Sequence, residues 1–154
     1  MNYQIRVIDK VSKNDIALYK NIAKLISPIS ETYPNYNEWL FTNFFPELKT
    51  QKRKIIVAYT KKNTPIGVAL LKDYNEEKKI CSLFVKEDCR GKGIASDLIK
   101  KSCEVLNTNK PLLTVSDKNL PMLQKLLDKN GFKFSYKRSG VYQKEDTENY
   151  FNNE

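Results

Sequence analysis

The residues of this chain best placed to do chemistry lie in one short run, Leu83-Phe84-Val85-Lys86-Glu87-Asp88-Cys89-Arg90-Gly91-Lys92-Gly93-Ile94-Ala95. An apolar, strand-like stretch ends there, a polar turn follows, and a Gly-x-Gly step opens an amphipathic helix. Glycine has no Cβ, so backbone N–H groups in such a turn can come directly against a ligand. A helix start leaves four N–H groups unbonded and carries roughly +0.5 charge. Together these make a socket for a phosphate or pyrophosphate, with Arg90 and Lys92 adding cations at the rim. Ala95 is small enough to let the helix lie close to the strand. A purely structural reading stands beside this one, in which Gly91 and Gly93 only make a tight strand-to-helix turn. The run does not fit the Gly-x4-Gly-Lys-Ser/Thr phosphate loop. A dinucleotide-binding fingerprint is disfavoured, because Ser96 occupies the third glycine position and too little chain follows for that sheet.

The chain contains no histidine. Ser-His and Cys-His triads, a histidine base and histidine-ligated metals are therefore excluded. Carboxylates, hydroxyls, thiols, amines, backbone groups or a bound cofactor must carry any reaction. The three cysteines, Cys81, Cys89 and Cys103, are odd in number and form no CxxC motif, so no zinc or other metal site is expected and a reduced, cytoplasmic compartment is. Cys89 lies beside the positive turn, which would lower its thiol pKa. The N-terminus alternates like a strand and lacks the apolar block of a secretory signal, and no run approaches the ~20 apolar residues of a membrane span.

The elements that must hold this turn follow from the switching period of the apolar residues. Residues 3–8 alternate as a strand. A helix capped by Ser12 runs from about Lys13 to Ile26, and a loop follows over 27–34. A short helix carries Trp39, Leu40 and Phe44 and is closed by Pro46. The run 49–54 reads as a solvated linker. Strands over 55–60, 66–72 and 79–85, joined by short connections, form an antiparallel meander. A helix over 91–106, a strand over 112–115, a helix through Leu120–Leu127 capped near Gly131, and strands over 132–136 and 141–143 complete the chain. The fold class is thus mixed α+β: an antiparallel meander followed by one right-handed parallel strand–helix–strand unit. Residues 1–144 form one domain and 145–154 an acidic tail.

The 154 residues carry 27 Lys+Arg against 18 Asp+Glu, a formal charge of +9. The last ten residues hold four acids and no base, so the rest carries +13 and would attract polyanions. Twenty-three of the cations are Lys and asparagine reaches 15 residues, a bias that points to genome composition more than to selection for nucleic acid.

Arg90-Gly91-Lys92-Gly93-Ile94-Ala95 matches the Arg/Gln-x-x-Gly-x-Gly/Ala signature, with Leu83-x-Val85 before it, Leu98-Ile99 after it and an Asn130-Gly131-Phe132 step farther on. Over residues 54–136 the chain resembles the GNAT superfamily of N-acetyltransferases. The resemblance implies a mostly antiparallel sheet whose central parallel strands splay to admit acetyl-CoA, with helices on both faces. It implies that main-chain groups of Leu83, Phe84 and Val85 hold the pantetheine arm, while Arg90, Gly91, Lys92, Gly93, Ile94, Ala95 and Ser96 hold the diphosphate. Lys100 and Lys101 are candidates for the adenosine 3′-phosphate or simply solvated helix surface.

The implied reaction is direct attack of a primary amine on the thioester, with no metal and no enzyme nucleophile. A lysine-like amine is neutral only about once in 2,500 molecules at pH 7, so a base or a desolvating pocket matters. A main-chain N–H on the strand before the turn would polarise the carbonyl. Many relatives place a proton-donating tyrosine four residues before the Gly-Phe step. Leu127 stands there in this chain, and Tyr136, Tyr142 and Ser116 are the candidate substitutes. Glu76, Glu77 and Asp117 are candidate bases. The aromatic cluster Tyr33, Tyr36 and Trp39 is expected to line the acceptor pocket, with sheet cover as the other reading for Trp39. The acceptor is a small amine, a protein amine or aminoacyl-tRNA as in toxin-like relatives, presented to a monomer or homodimer away from any membrane. A sensor that binds acyl-CoA without turnover is the alternative.

Overall fold

The computed structural model describes residues 2–8, 16–31, 33–141 and 147–152. Strands β1 (Tyr3–Ile8), β2 (Arg53–Thr60), β3 (Pro65–Asp73) and β4 (Lys78–Val85) form an antiparallel sheet in chain order. Their central members are β-branched and apolar on both faces, which suits strands covered from two sides. On one face Ile55, Val57, Val68 and Leu70 meet Ile22 of helix α1 (Ile16–Leu25), together with Leu40, Phe44, Phe45 and Leu48. The residues from Leu40 onward come from a helical run that starts as α2 (Tyr36–Trp39) and passes through a π turn, Leu40–Phe44, into a 3-10 turn, Phe45–Thr50. Pro46 opens that last turn instead of ending the helix, because a proline costs nothing where the N–H has no helical partner. The expected linker over 49–54 is likewise ordered, and buried Arg53 begins β2.

On the other face Ile56, Ala69, Leu71 and Ile80 pack against helix α3 (Ile94–Leu106). The close approach of α3 is set on the sheet side more than at Ala95. A Cβ built on Gly67 would stand 3.1 Å from Ile94 Cγ2 and 3.2 Å from Leu98 Cδ1.

Strand β5 (Leu113–Ser116) follows α3, then helix α4 (Leu120–Lys129), β6 (Phe134–Ser139) and β7 (Thr147–Phe151). These last strands form a separate sheet in the order β5-β7-β6. The two sheets meet at one parallel bridge, Lys79 with Leu112, closed by Ile80 N–H to the Leu112 carbonyl and Leu112 N–H to the Lys78 carbonyl, each at 2.9 Å. Beyond that bridge β4 and β5 diverge, so the expected parallel pair is a splay with a single rung.

The acidic segment at the C-terminus needs correction. Residues 147–151 are not a tail: β7 lies between β5 and β6, with Glu148 and Asn149 buried and Phe151 in the core. The residues with strand character, Tyr150 and Phe151, sit among acids and asparagines, and composition masked them. Of the strand expected over 141–143, Val141 lies in a bend after Gly140, and Tyr142 and Gln143 lie outside the described residues.

Candidate functional site

The turn after β4 has the geometry its glycines require. Gly91 and Gly93 hold φ of 77° and 85°, a region costly for residues with a Cβ. Gly93 is the N-cap of α3, and the first helical bond runs from Asp97 N–H to the Gly93 carbonyl at 3.1 Å. The amides of residues 94–96 precede that bond at the positive end of the helix. A Cβ at Gly91 or Gly93 would meet no protein atom within 4 Å. The glycines therefore serve backbone conformation and leave open space before the amides, as a bound diphosphate would need.

Arg90 fastens this loop to the strand. Its Nε donates to the Val85 carbonyl at 2.9 Å, and its guanidinium lies 5.5 Å from the centre of the Phe84 ring. A cavity of about 540 Å³ opens between the loop and α4, lined by Leu83, Phe84, Val85, Arg90 and, on the helix, Ile94 to Ser96. All ten positions expected to hold the coenzyme line it except Lys92. Lys101 is paired with Glu104 at 3.1 Å on the outer helix surface. Burial and the neighbouring Asp88 push the Cys89 thiol up, opposite to the expected direction, which disfavours a reactive thiolate.

Strand β4 presents a free edge at this point. Lys86 N–H bonds to the Ile66 carbonyl at 2.9 Å, and the register pairs Phe84 with Val68 and Ser82 with Leu70. By alternation the main-chain groups of Leu83 and Val85 face away from β3, into the splay. Phe84 turns its main chain to β3 and can reach a ligand only through its ring. A register shift opposite Leu70 and Leu71 leaves Cys81 as an extra residue, and this bulge lies where β4 leaves β5.

A second cavity of about 430 Å³ lies beyond the first. Ile29, Leu83, Asn119 and Leu123 line both, so the two adjoin at Leu83. Tyr33, Tyr36 and Trp39 all line the second cavity, which brings the expected aromatic cluster together. Trp39 also packs at a tilt on Phe44, 5.5 Å between ring centres, in the cluster that covers the sheet. The Tyr36 hydroxyl bonds with Ser82 Oγ at 2.5 Å, and burial pushes its pKa up. Leu127, at the position where relatives carry tyrosine, is fully buried in the same wall.

The candidate proton-transfer residues fare differently. Tyr136 is on β6, stacked on Tyr150 at 4.6 Å with Arg138 over its ring, and lines neither cavity. Tyr142 lies outside the described residues. Ser116 is fully buried, accepts the Asn119 N–H at 3.3 Å and stands beside the Tyr33 hydroxyl. Asp117 is turned to Asn149 at 2.8 Å, and Glu76 is exposed. Glu77 lines the second cavity but is paired with Lys72 at 2.8 Å.

Sequence reasoning missed Glu148. It is 3% exposed on β7, opposite Ser116, and its Oε1 accepts the Tyr33 hydroxyl at 3.0 Å. Burial and this carboxylate hold the Tyr33 phenol protonated far above the usual tyrosine range. A phenol in the cavity wall is thus backed by a buried carboxylate. The available signal was the alternation Thr147-x-Asn149-x-Phe151, hidden inside an acidic segment.

Among the described residues no helix is long and apolar enough to cross a membrane. No curated protein sequence matches the chain. Solved structures do. The NatC complex bound to Gag peptide and CoA matches at TM-score 0.74 and 19% identity, over 98% of this chain and 97% of that one. A Bacillus anthracis protein described as a streptothricin acetyltransferase, solved in complex with acetyl coenzyme A, matches at TM-score 0.57 and 22% identity over 65% of this chain. Nourseothricin acetyltransferase matches at TM-score 0.58 and 16% identity, again over 65% of this chain. The chain spans 61% and 64% of the length of the latter two. At these identities the likeness is one of fold. Residues 35–143 match the family model of the acetyltransferase (GNAT) domain, and on that match the chain belongs to the GNAT family.

Proposed function

We propose that the chain transfers an acetyl group from acetyl-CoA to a primary amine by direct attack on the thioester. The observation that carries this is that the two cavities adjoin at the open edge of β4. The amides of residues 94–96 and the Arg90 cation suit a diphosphate in the first cavity. The outward Leu83 and Val85 main chain suits a pantetheine amide threaded along the strand. When bound, acetyl-CoA supplies an activated acetyl carbonyl. At the junction the Leu83 N–H is placed to stabilise developing negative charge on its oxygen.

Deprotonation of the amine is assigned to the Tyr33–Glu148 pair. The phenol accepts a proton from the ammonium while passing its own to the buried carboxylate. Apolar neighbours Leu123 and Leu127 at the junction disfavour a charged amine there and assist the same step. No side chain replaces the missing tyrosine at Leu127. A thiolate with pKa near ~8.5 can leave and take its proton from water.

The test is release of free CoA from acetyl-CoA with a panel of amines, with the acetylated product identified by mass. Release that depends on amine supports the reading. Tight coenzyme binding without release across the panel replaces it with that of an acyl-CoA sensor.

A further inference from the structure

We infer that the amine acceptor carries an anionic oxo group, a carboxylate or a phosphonate, which docks on a row of three cations at the far end of the second cavity; the inference rests on the acetyl-transfer reading above. The row is written in the sheet register. Arg53 on β2 pairs with Lys72 on β3, and Lys72 pairs with Lys79 on β4. Cross-strand partners share a face, so three cationic side chains stand side by side on one face of the sheet, and all three line the cavity. Like charges placed directly opposite destabilise a sheet. Such a row, held at the wall of a pocket, needs a compensating anion.

At Arg53 the nearest resident acid stands outside hydrogen-bond reach. Glu77 takes Lys72 at 2.8 Å, while Glu47 stands 3.6 Å from Arg53 Nε, too far for a hydrogen bond. Arg53 is 8% exposed, and its Nε has no hydrogen-bond partner. Its Nη1 donates to Cys81 Sγ at 3.5 Å, a weak acceptor, and it also hydrogen-bonds to the Tyr74 hydroxyl. The guanidinium is instead held by rings, at 5.8 Å from Trp39, 5.6 Å from Phe44 and 5.7 Å from Tyr74. The faces of Trp39 and Phe44 help fix its plane without using its donors. A buried guanidinium whose Nε is left without a hydrogen-bond partner is a costly arrangement alone and suits an oxyanion.

Across the cavity the opposite charge waits behind Tyr33, at Glu148. The pocket is therefore bipolar, with an anion-accepting end at Arg53 and an ammonium-accepting end at Tyr33. Its volume of about 430 Å³ suits a small molecule. Along β4 the row and the junction at Leu83 are separated by Lys79 to Leu83, about 10 Å when the bulge is allowed for, so an amine and anion several bonds apart fit better than an α-amino acid.

The experiment measures kcat/KM for four matched series of graded chain length: aminoalkanoates, aminoalkyl phosphonates, simple alkylamines and diamines. The expected result is that an anionic series of intermediate length exceeds the alkylamine of equal length by at least about tenfold. Arg53→Gln and, separately, half-buried Lys79→Gln should each bring that ratio toward one, with coenzyme affinity and melting temperature as controls of fold. The carboxylate and phosphonate series separate the two anions. In parallel, calorimetric titration of the aminoalkanoates onto the CoA-loaded protein should show affinity that Arg53→Gln weakens by at least about tenfold. Equal or better turnover of alkylamines and diamines, or acetylation of aminoacyl-tRNA in place of the free compounds, overturns the inference. If no amine is acetylated at all, the acetyl-transfer reading fails, and the calorimetric arm alone decides whether the row holds an anion.

Discussion

The cavity before the α3 amides and the cavity beyond Leu83 are built from different materials. The first is walled mainly by one continuous stretch, residues 83–96, and its working groups are main-chain amides presented by glycines at φ 77° and 85°. The second draws its wall from the 27–39 segment, three strands of the first sheet, β5 and α4, and its working groups are side chains. Main-chain groups are the same in every sequence, so the first cavity suits one invariant ligand. Side chains differ, so on the proposed reading the second is where an acceptor is chosen. The same difference governs how each region tolerates change.

The largest expected effect is at the loop. Gly93→Glu places a charged side chain in the open space before the amides, at a φ unfavourable to it. It should lower acetyl-CoA affinity by more than about a hundredfold through clash and like-charge repulsion. Calorimetry reads this, with circular dichroism confirming the fold. Affinity within a few-fold of the natural chain would put the coenzyme elsewhere.

Next come two changes that test the scaffold under each cavity. Phe151→Ala removes a buried ring from the central strand of the second sheet and should cost about 3–5 kcal/mol in chemical denaturation. Gly67→Val forces a side chain against Ile94 and Leu98, at contacts already 3.1 and 3.2 Å for a Cβ alone, and should cost about 1–3 kcal/mol. An unchanged midpoint in the first case would contradict the placement of β7.

Sharper separation of the two cavities comes from Glu148→Gln and Tyr33→Phe. Each is expected to lower kcat by about ten- to a hundredfold while leaving coenzyme affinity unchanged. A parallel loss of coenzyme binding would mean that these residues shape the scaffold and not the proton path.

The smallest effect lies beside the cation row but on the opposite face of the sheet. Burial tends to raise the Asp73 carboxyl, but Lys54 at 2.7 Å and Lys78 at 2.6 Å more than offset it and hold it below the ordinary carboxylate range. A depressed acid contributes stability above its unfolded pKa of about 3.9 and loses it as pH falls through its lower folded value. Asp73→Asn should therefore narrow the stability difference between pH 6 and pH 3, read from urea midpoints.

What could be read from sequence follows the same division. The loop was legible because local backbone requirements leave local marks: Gly91, Gly93 and the 3.6-residue period of α3 sit next to one another. The aromatic cluster Tyr33, Tyr36 and Trp39 was legible as composition, although nothing local said which cavity it would face. Glu148 was not legible. It reaches Tyr33 across 115 positions through a strand that looked like an acidic tail. The row Arg53, Lys72, Lys79 was equally hidden, since its three members meet only through the pairing of three strands. Tyr136 had suitable chemistry and a wrong face, for the strand register turns it toward Tyr150.

The central claim is that amides of residues 94–96 grip a diphosphate and that Leu83 marks where its thioester stops. A crystal structure of the chain with acetyl-CoA tests both at once. The account predicts diphosphate oxygens within hydrogen-bonding distance of those amides and the acetyl carbon at the Leu83 edge between the two cavities. Diphosphate held by surface lysines away from the α3 N-terminus, with the splay between β4 and β5 empty of the pantetheine arm, would contradict it.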